Sequence, residues 1–100
     1  MTVEEITTDI KAVAAKAGTV DATFKFVFTD AEGEVIHVVS KGNTNVVTND
    51  DLPADCELRL KTSTFEQLKS GKLKAPMALM MGKVKVKGDL GVAMKLQGFL

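Results

Sequence analysis

Apolar residues recur at three- and four-residue spacing through Val3, Ile6, Ile10, Val13 and Ala17, and from Ala22 onward the spacing drops to two. The first pattern lays one face of an amphipathic helix on a core, and the second gives strands with one buried face. Thr2 and Glu5 head the helical run as a capping box, and Gly18 supplies its stop. In the first alternating run Phe24, Phe26 and Phe28 share one face, against Thr23, Lys25 and Thr29 on the other. The turn residues of TDAEGE then lead into VIHVVS, which predicts a β-hairpin.

A second turn at KGN leads to TNVVT, the loop NDDLPAD interrupts the sheet, and CELRLK alternates again as a fourth strand. No helix intervenes, so the sheet is expected to begin as an antiparallel meander. Ser63 and Glu66 have capping-box spacing ahead of a short helix that carries Phe65 and Leu68 and ends at Gly71. Pro76 suits the first turn of another helix, with Met77, Met80 and Met81 running to Gly82. KVKVK is the fifth strand, with Val84 and Val86 inward and Lys83, Lys85 and Lys87 outward, where lysine commonly guards a sheet against pairing. Asp89 caps a last helix bearing Leu90, Ala93, Met94 and Leu100. The predicted order is αββββααβα.

Composition narrows this picture. One hundred residues with 45% hydrophobic content suit a single domain, residues 1–100, built around one core. The lone Cys56 shares its spacing with Leu58 and Leu60 and reads as a small buried apolar residue, not half of a disulfide. No apolar run reaches the ~18 residues of a membrane span, and the amino terminus is acidic early, so a soluble, cytoplasmic protein is expected. Net charge is zero but unevenly spread: residues 1–60 carry 11 acids and 5 bases, residues 61–100 carry 2 acids and 8 bases. A basic third of this kind fits either a solvated mixed surface or transient contact with an anionic membrane.

Candidate chemistry is sparse. The single His37 sits mid-strand among β-branched neighbours, with no second histidine or cysteine to build a metal site or a nucleophile pair. The acidic clusters fall at a helix start and in turns, where dipole compensation and solubility account for them. The glycines form no phosphate loop or dinucleotide fingerprint, so no cofactor is expected. Nucleic acid is not an expected partner either, because the five phenylalanines are the chain's only aromatic residues and three of them share a face that must be buried. Methionine adapts to irregular shapes, and Met77, Met80, Met81 and Met94 flank the fifth strand on two helices. Spacing alone leaves ordinary core and ligand cavity both open.

The run STFEQLKSGKLKAPMALMMGKVKVKGDLGVAMKLQ, Ser63 to Gln97, resembles the signature region of the sterol carrier protein two-like family. Its marks are a helix ending in SGKL, a proline-led segment, an alternating GKVKVKG strand and an MKLQ helix, and the likeness continues more weakly upstream. The resemblance implies an α/β layered domain: a five-stranded, mainly antiparallel sheet covered on one face by helices that enclose an apolar tunnel for sterol, fatty acid, fatty acyl-coenzyme A or phospholipid. It implies binding and transfer without catalysis. Wall candidates from the sheet are then Phe26, Phe28, Leu60, Val84 and Val86. The helices would add Phe65, Leu68, Met77, Met80, Met81 and Met94, with Phe99 beyond them and Gln97 as a polar group near the mouth. The chain departs from the family in having no tryptophan or tyrosine, and it ends in GFL where peroxisomal members carry a Ser-Lys-Leu-type signal. The alternative is a non-carrier interaction or dimerisation module with a filled core, accessory to a lipid-metabolising enzyme; a monomer or weak dimer suits either.

Overall fold

In the computed structural model, which describes residues 2–96, helix α1 spans Val3–Ala14 behind the expected capping box of Thr2 and Glu5. Its buried stripe is Val3, Ile6, Thr7, Ile10 and Ala14. The helix ends earlier than the run to Ala17 suggests. The Asn45 side-chain amide, on a strand 31 residues ahead of Ala14, donates to the carbonyls of Ala14, Ala17 and Gly18 at 3.2–3.4 Å. That external donor satisfies carbonyls which a longer helix would have used itself.

Strands β1 (Ala22–Phe28), β2 (Glu34–Lys41) and β3 (Thr44–Thr48) form the expected antiparallel meander. Strand β4 (Cys56–Leu60) does not extend it. It returns to the far side of β1 and pairs there in parallel, giving the order β3-β2-β1-β4-β5, with β5 (Val84–Gly88) antiparallel at the edge. The connection that makes this crossing runs over the helix-free face and is tied down along its length. Asn49 donates to the Val35 carbonyl at 3.0 Å, Lys25 pairs with Asp51 at 2.8 Å, and the Thr23 amide donates to the Asp55 carboxylate at 2.9 Å. His37, 3% exposed, belongs to the same strap: its Nε2 lies 3.0 Å from the Pro53 carbonyl, which can only accept, so that nitrogen carries the proton.

All four helices lie on the other face. Register places Phe24 opposite Val38 and Cys56, and Phe26 opposite Ile36 and Leu58, so the alternating side chains of three strands meet in one layer. Phe24, Phe26 and Phe28 are buried there, each worth roughly 2 kcal/mol of apolar burial. Helix α2 (Thr62–Ser70) brings Phe65 edge-on to Phe26 and Phe28, with ring centroids 6.1 and 6.3 Å apart. The Ser63–Glu66 capping box does not form, since the helix starts two residues earlier, with Lys61 at its N-cap and no side-chain cap. Asp30 supplies the missing acceptor from a distant turn, taking the Thr62 amide at 3.0 Å and its hydroxyl at 2.7 Å.

Helices α3 (Ala75–Met80) and α4 (Leu90–Lys95) have six residues each. Neither is long enough to stand alone, so packing must hold them: α3 through Ala78, α4 through Val92 and the adjoining Leu96. The Asp89 side chain caps α4, accepting from the amides of Gly91 and Val92. Gly88 makes the joint between β5 and α4 at a φ of 102°, and a Cβ there would lie 2.4 Å from the Asp55 carbonyl oxygen. Only glycine fits this approach.

Candidate functional site

Between α2, α3, α4 and the β4–β5 edge lies a hollow of about 410 Å³, within the range of small-molecule sites. Leu58 and Val84 form its sheet side and Leu68 is its contribution from α2. Ala75, Pro76, Leu79 and Met80 come from α3, and Leu90, Ala93, Met94 and Leu96 from the closing segment. Every one of these side chains is apolar. A surface of this kind offers burial to a hydrocarbon and no acid, base or nucleophile for chemistry.

The hollow opens at its helical rim. Met80 is 84% exposed, Met94 71% and Leu90 64%, whereas Leu58, Leu68, Val84 and Leu96 beneath them are buried. Large apolar side chains gathered at a rim above a buried apolar floor leave surface that a further apolar body would cover.

Of the residues singled out in the sequence, the structure brings Leu68, Met80, Val84 and Met94 together here. Met77 and Met81 are also exposed, at 51% and 56%, but do not line the hollow. Phe26, Phe28 and Phe65 are packed into the core, and Val86 is half-buried against it. Leu60 lines a different hollow at the end of the sheet. Gln97 and Phe99 lie outside the described residues. The described residues show no closed tunnel through the core: the ground between sheet and α2 is filled by the three edge-on phenylalanine rings, and the accessible space sits beside them. Leu58, Ala75, Pro76, Leu79, Leu90, Ala93 and Leu96 were not among the wall candidates. For α3 a signal existed, because Pro76, Leu79 and Met80 fall at i, i+3 and i+4 and share one helical face.

The reactive side chains nearby are structurally occupied. Cys56 is wholly buried, and burial first, then the negative charges of Asp89, Asp55 and Glu57, push its thiol pKa up, which disfavours the nucleophilic thiolate. Among the described residues no cluster of histidine, cysteine and carboxylates could hold a metal ion. Among them too, no helix is long and apolar enough to cross a membrane.

Comparison with known proteins agrees with this geometry. Residues 3–100 match the SCP-2 sterol transfer family. The chain is 36% identical over 100 residues to the non-specific lipid-transfer protein-like 1 of Caenorhabditis elegans, an alignment covering 97% of this chain and 81% of that protein. It is 41% identical over 59 residues to sterol carrier protein 2 of Homo sapiens, covering 59% of this chain and only 11% of that longer protein. Among solved structures, sterol carrier protein 2 like 2 of Aedes aegypti superposes with a TM-score of 0.73 over 97% of both chains at 20% identity, which shows a shared fold.

Proposed function

The chain belongs to the SCP-2 sterol transfer family, and from that premise we propose that it is a lipid carrier, taking up the hydrocarbon part of a sterol, fatty acid, fatty acyl-coenzyme A or phospholipid in the hollow under α3 and α4. The observation that carries the reading is the wholly apolar lining, exposed at Leu90, Met80 and Met94 and buried below. Burying ~14 methylenes at ~0.8 kcal/mol each gives about 11 kcal/mol gross. Association and ordering of the ligand cost several kcal/mol or more, so affinities from micromolar to nanomolar follow. An apolar wall grips chain length and shape and leaves the head group to polar residues outside it. The role is binding and release within the cell, without bond-making, and includes transient contact with an anionic membrane at the moment of transfer. A ligand longer than the hollow is accommodated by movement of α3 and α4, whose methionines repack at small cost. The enclosed tunnel of the family is then a property of the loaded protein.

The test uses the exposure of Met80 and Met94. Substitution at so exposed a position ordinarily changes stability by less than about 0.5 kcal/mol. Met80→Glu and Met94→Glu should therefore leave the melting temperature of lipid-free protein nearly unchanged while weakening binding of a fluorescent fatty acid at least tenfold, because each puts a carboxylate beside the bound chain. Undiminished binding in both variants overturns the placement of the ligand. Mass spectrometry of organic extracts of the purified protein should also find lipid; none in the extract, with concentration-dependent dimerisation, would support the interaction module instead.

A further inference from the structure

At the corner where β4 ends, α2 begins and β5 starts there is a second hollow, of about 620 Å³. We propose that it is a binding site for a phosphate group. Arg59, Lys61, Lys83 and Lys85 line it, and no acidic residue does. Two of these cations are set against each other by the sheet itself: Arg59 stands directly opposite Lys85 in the β4–β5 register, whereas the next outward pair, Glu57 and Lys87, is complementary. Like charges directly opposite on neighbouring strands are destabilising, and an anion between them reverses the sign of the interaction. Arg59 bonds Glu57 through its Nε, leaving its terminal nitrogens to donate elsewhere.

The start of α2 adds neutral donors. This nine-residue helix has no side-chain cap of its own; the Thr62 amide is taken by Asp30, but the amides of Ser63 and Thr64 still lie in the first turn, where the helix has no acceptor to offer. Both residues line the hollow. Thr64 is 6% exposed, and its hydroxyl makes no hydrogen bond among the described residues. Among the described residues it is not one of the buried atoms left without a partner, so it remains within reach of the hollow and can donate to an acceptor that enters. Phosphate oxygens are acceptors only, several to one group, and match a fork of guanidinium, ammonium, amide and hydroxyl donors. The opposing charges nearby are already engaged, Glu57 by Arg59 and Lys25, and Asp30 by Thr62.

The hollow adjoins the apolar one. Leu60 lines the basic hollow and its register partner Val84 the apolar one; along α2, Gln67 belongs to the first and Leu68 to the second. A phosphorylated amphiphile with its chain against Leu68 and Val84 would have its head group at Lys83 and Thr64. That use rests on the lipid-carrier reading; the phosphate site itself does not.

Titration of the whole protein with inorganic pyrophosphate, followed by amide chemical shifts, should move Ser63, Thr64 and Lys85 saturably, and rising salt should weaken the effect. Lys83 and Lys85 are exposed, so Lys83→Ala/Lys85→Ala should fold normally and weaken pyrophosphate binding at least fivefold, with Lys61→Ala weakening it independently. In the second arm, lysophosphatidate should bind at least tenfold tighter than the monoacylglycerol of the same chain. The double variant should lose that preference and keep its monoacylglycerol affinity. Unmoved amides in the α2 first turn, or equal pyrophosphate affinity in folded variants, would overturn the proposal. Pyrophosphate binding without a preference for lysophosphatidate assigns the site to free phosphate compounds, and pyrophosphate binding with neither acyl probe bound keeps the site while defeating the lipid-carrier reading.

Discussion

Asp30 shows how much a single side chain can do for an element to which it does not belong. It reaches α2 from the turn between β1 and β2 and accepts from both the amide and the hydroxyl of Thr62. The bond from the Thr62 hydroxyl, followed by that from its amide, holds the Asp30 carboxyl below its ordinary value of 3.8. A carboxyl with a depressed folded-state pKa contributes stability that is complete above the unfolded value and is lost as pH falls through the folded one. Asp30→Ala should therefore cost about 1 kcal/mol at pH 7, toward the lower part of the capping range because solvent screens an exposed carboxylate. Urea unfolding of wild type and variant should show that gap narrowing below pH 3.8; a gap of the same width at pH 7 and pH 3 would refute a capping role for the charged form. Nothing in the local sequence announces this cap. Ser63 and Glu66 have the right spacing, but the helix begins two residues too early for them, and the residue that does the work is 32 positions away from Thr62.

The elements themselves were legible wherever one face had to be buried. Alternation through Phe24, Phe26 and Phe28 marks β1, and the same arithmetic recovers β4 and β5, because the pleat admits no other reading of a half-buried strand, whereas β2, buried at four successive positions from Val35 to Val38, is legible through the turn ahead of it. Alternation says which face a residue takes and nothing about which strand lies next to it, so the passage of β4 to a parallel place beside β1 had no local signal. Short helices are less legible still. Six residues make fewer than two turns, so the spacing of Met77, Met80 and Met81 could not decide which of them faced the sheet, and the anchor of α3 is Ala78. The same shortness makes α4 a candidate gate: its buried anchors are Val92 and Leu96, while Leu90 and Met94 at the rim gain burial only from a ligand. Elements with few buried apolar groups open at low free-energy cost. Amides of Leu90–Lys95 should thus exchange with deuterium well before those of Ala22–Phe28 in lipid-free protein, and added fatty acid should slow α4 selectively. Exchange equally slow in α4 and β1, and indifferent to ligand, would leave α4 no role in entry.

At the scale of the molecule, the charge imbalance between the two parts of the chain becomes an imbalance in space. Strand order β3-β2-β1-β4-β5 sets α1 against β2 and β3 at one end and α3 and α4 against β4 and β5 at the other. Lys83, Lys85, Lys87 and Lys95, in or beside β5 and α4, are thereby collected at the β5 end, and β4 is the strand of the acidic part that enters it. The two parts also meet directly, since Lys69 of α2 pairs with Asp9 of α1. The same end carries the exposed Leu79, Met80, Leu90 and Met94. A basic field beside an apolar rim suits a surface that is anionic outside and hydrocarbon within: the lysines would orient the encounter and the rim would meet the acyl region as cargo passes. Exposed charges are screened beyond about 8 Å at physiological ionic strength, so this contribution is the part of transfer that salt can remove. Transfer of a fluorescent fatty acid to vesicles rich in phosphatidylserine should slow several-fold as salt is raised from 0.02 to 0.5 M, whereas transfer to phosphatidylcholine vesicles should be slower at the outset and nearly indifferent to salt. Lys85→Glu/Lys87→Glu, on the exposed face of β5, should abolish the difference between the two vesicle types without changing affinity for a monoacylglycerol in solution. Identical salt responses for both vesicles would mean that cargo leaves by diffusion through water and that the basic end serves only the phosphate site.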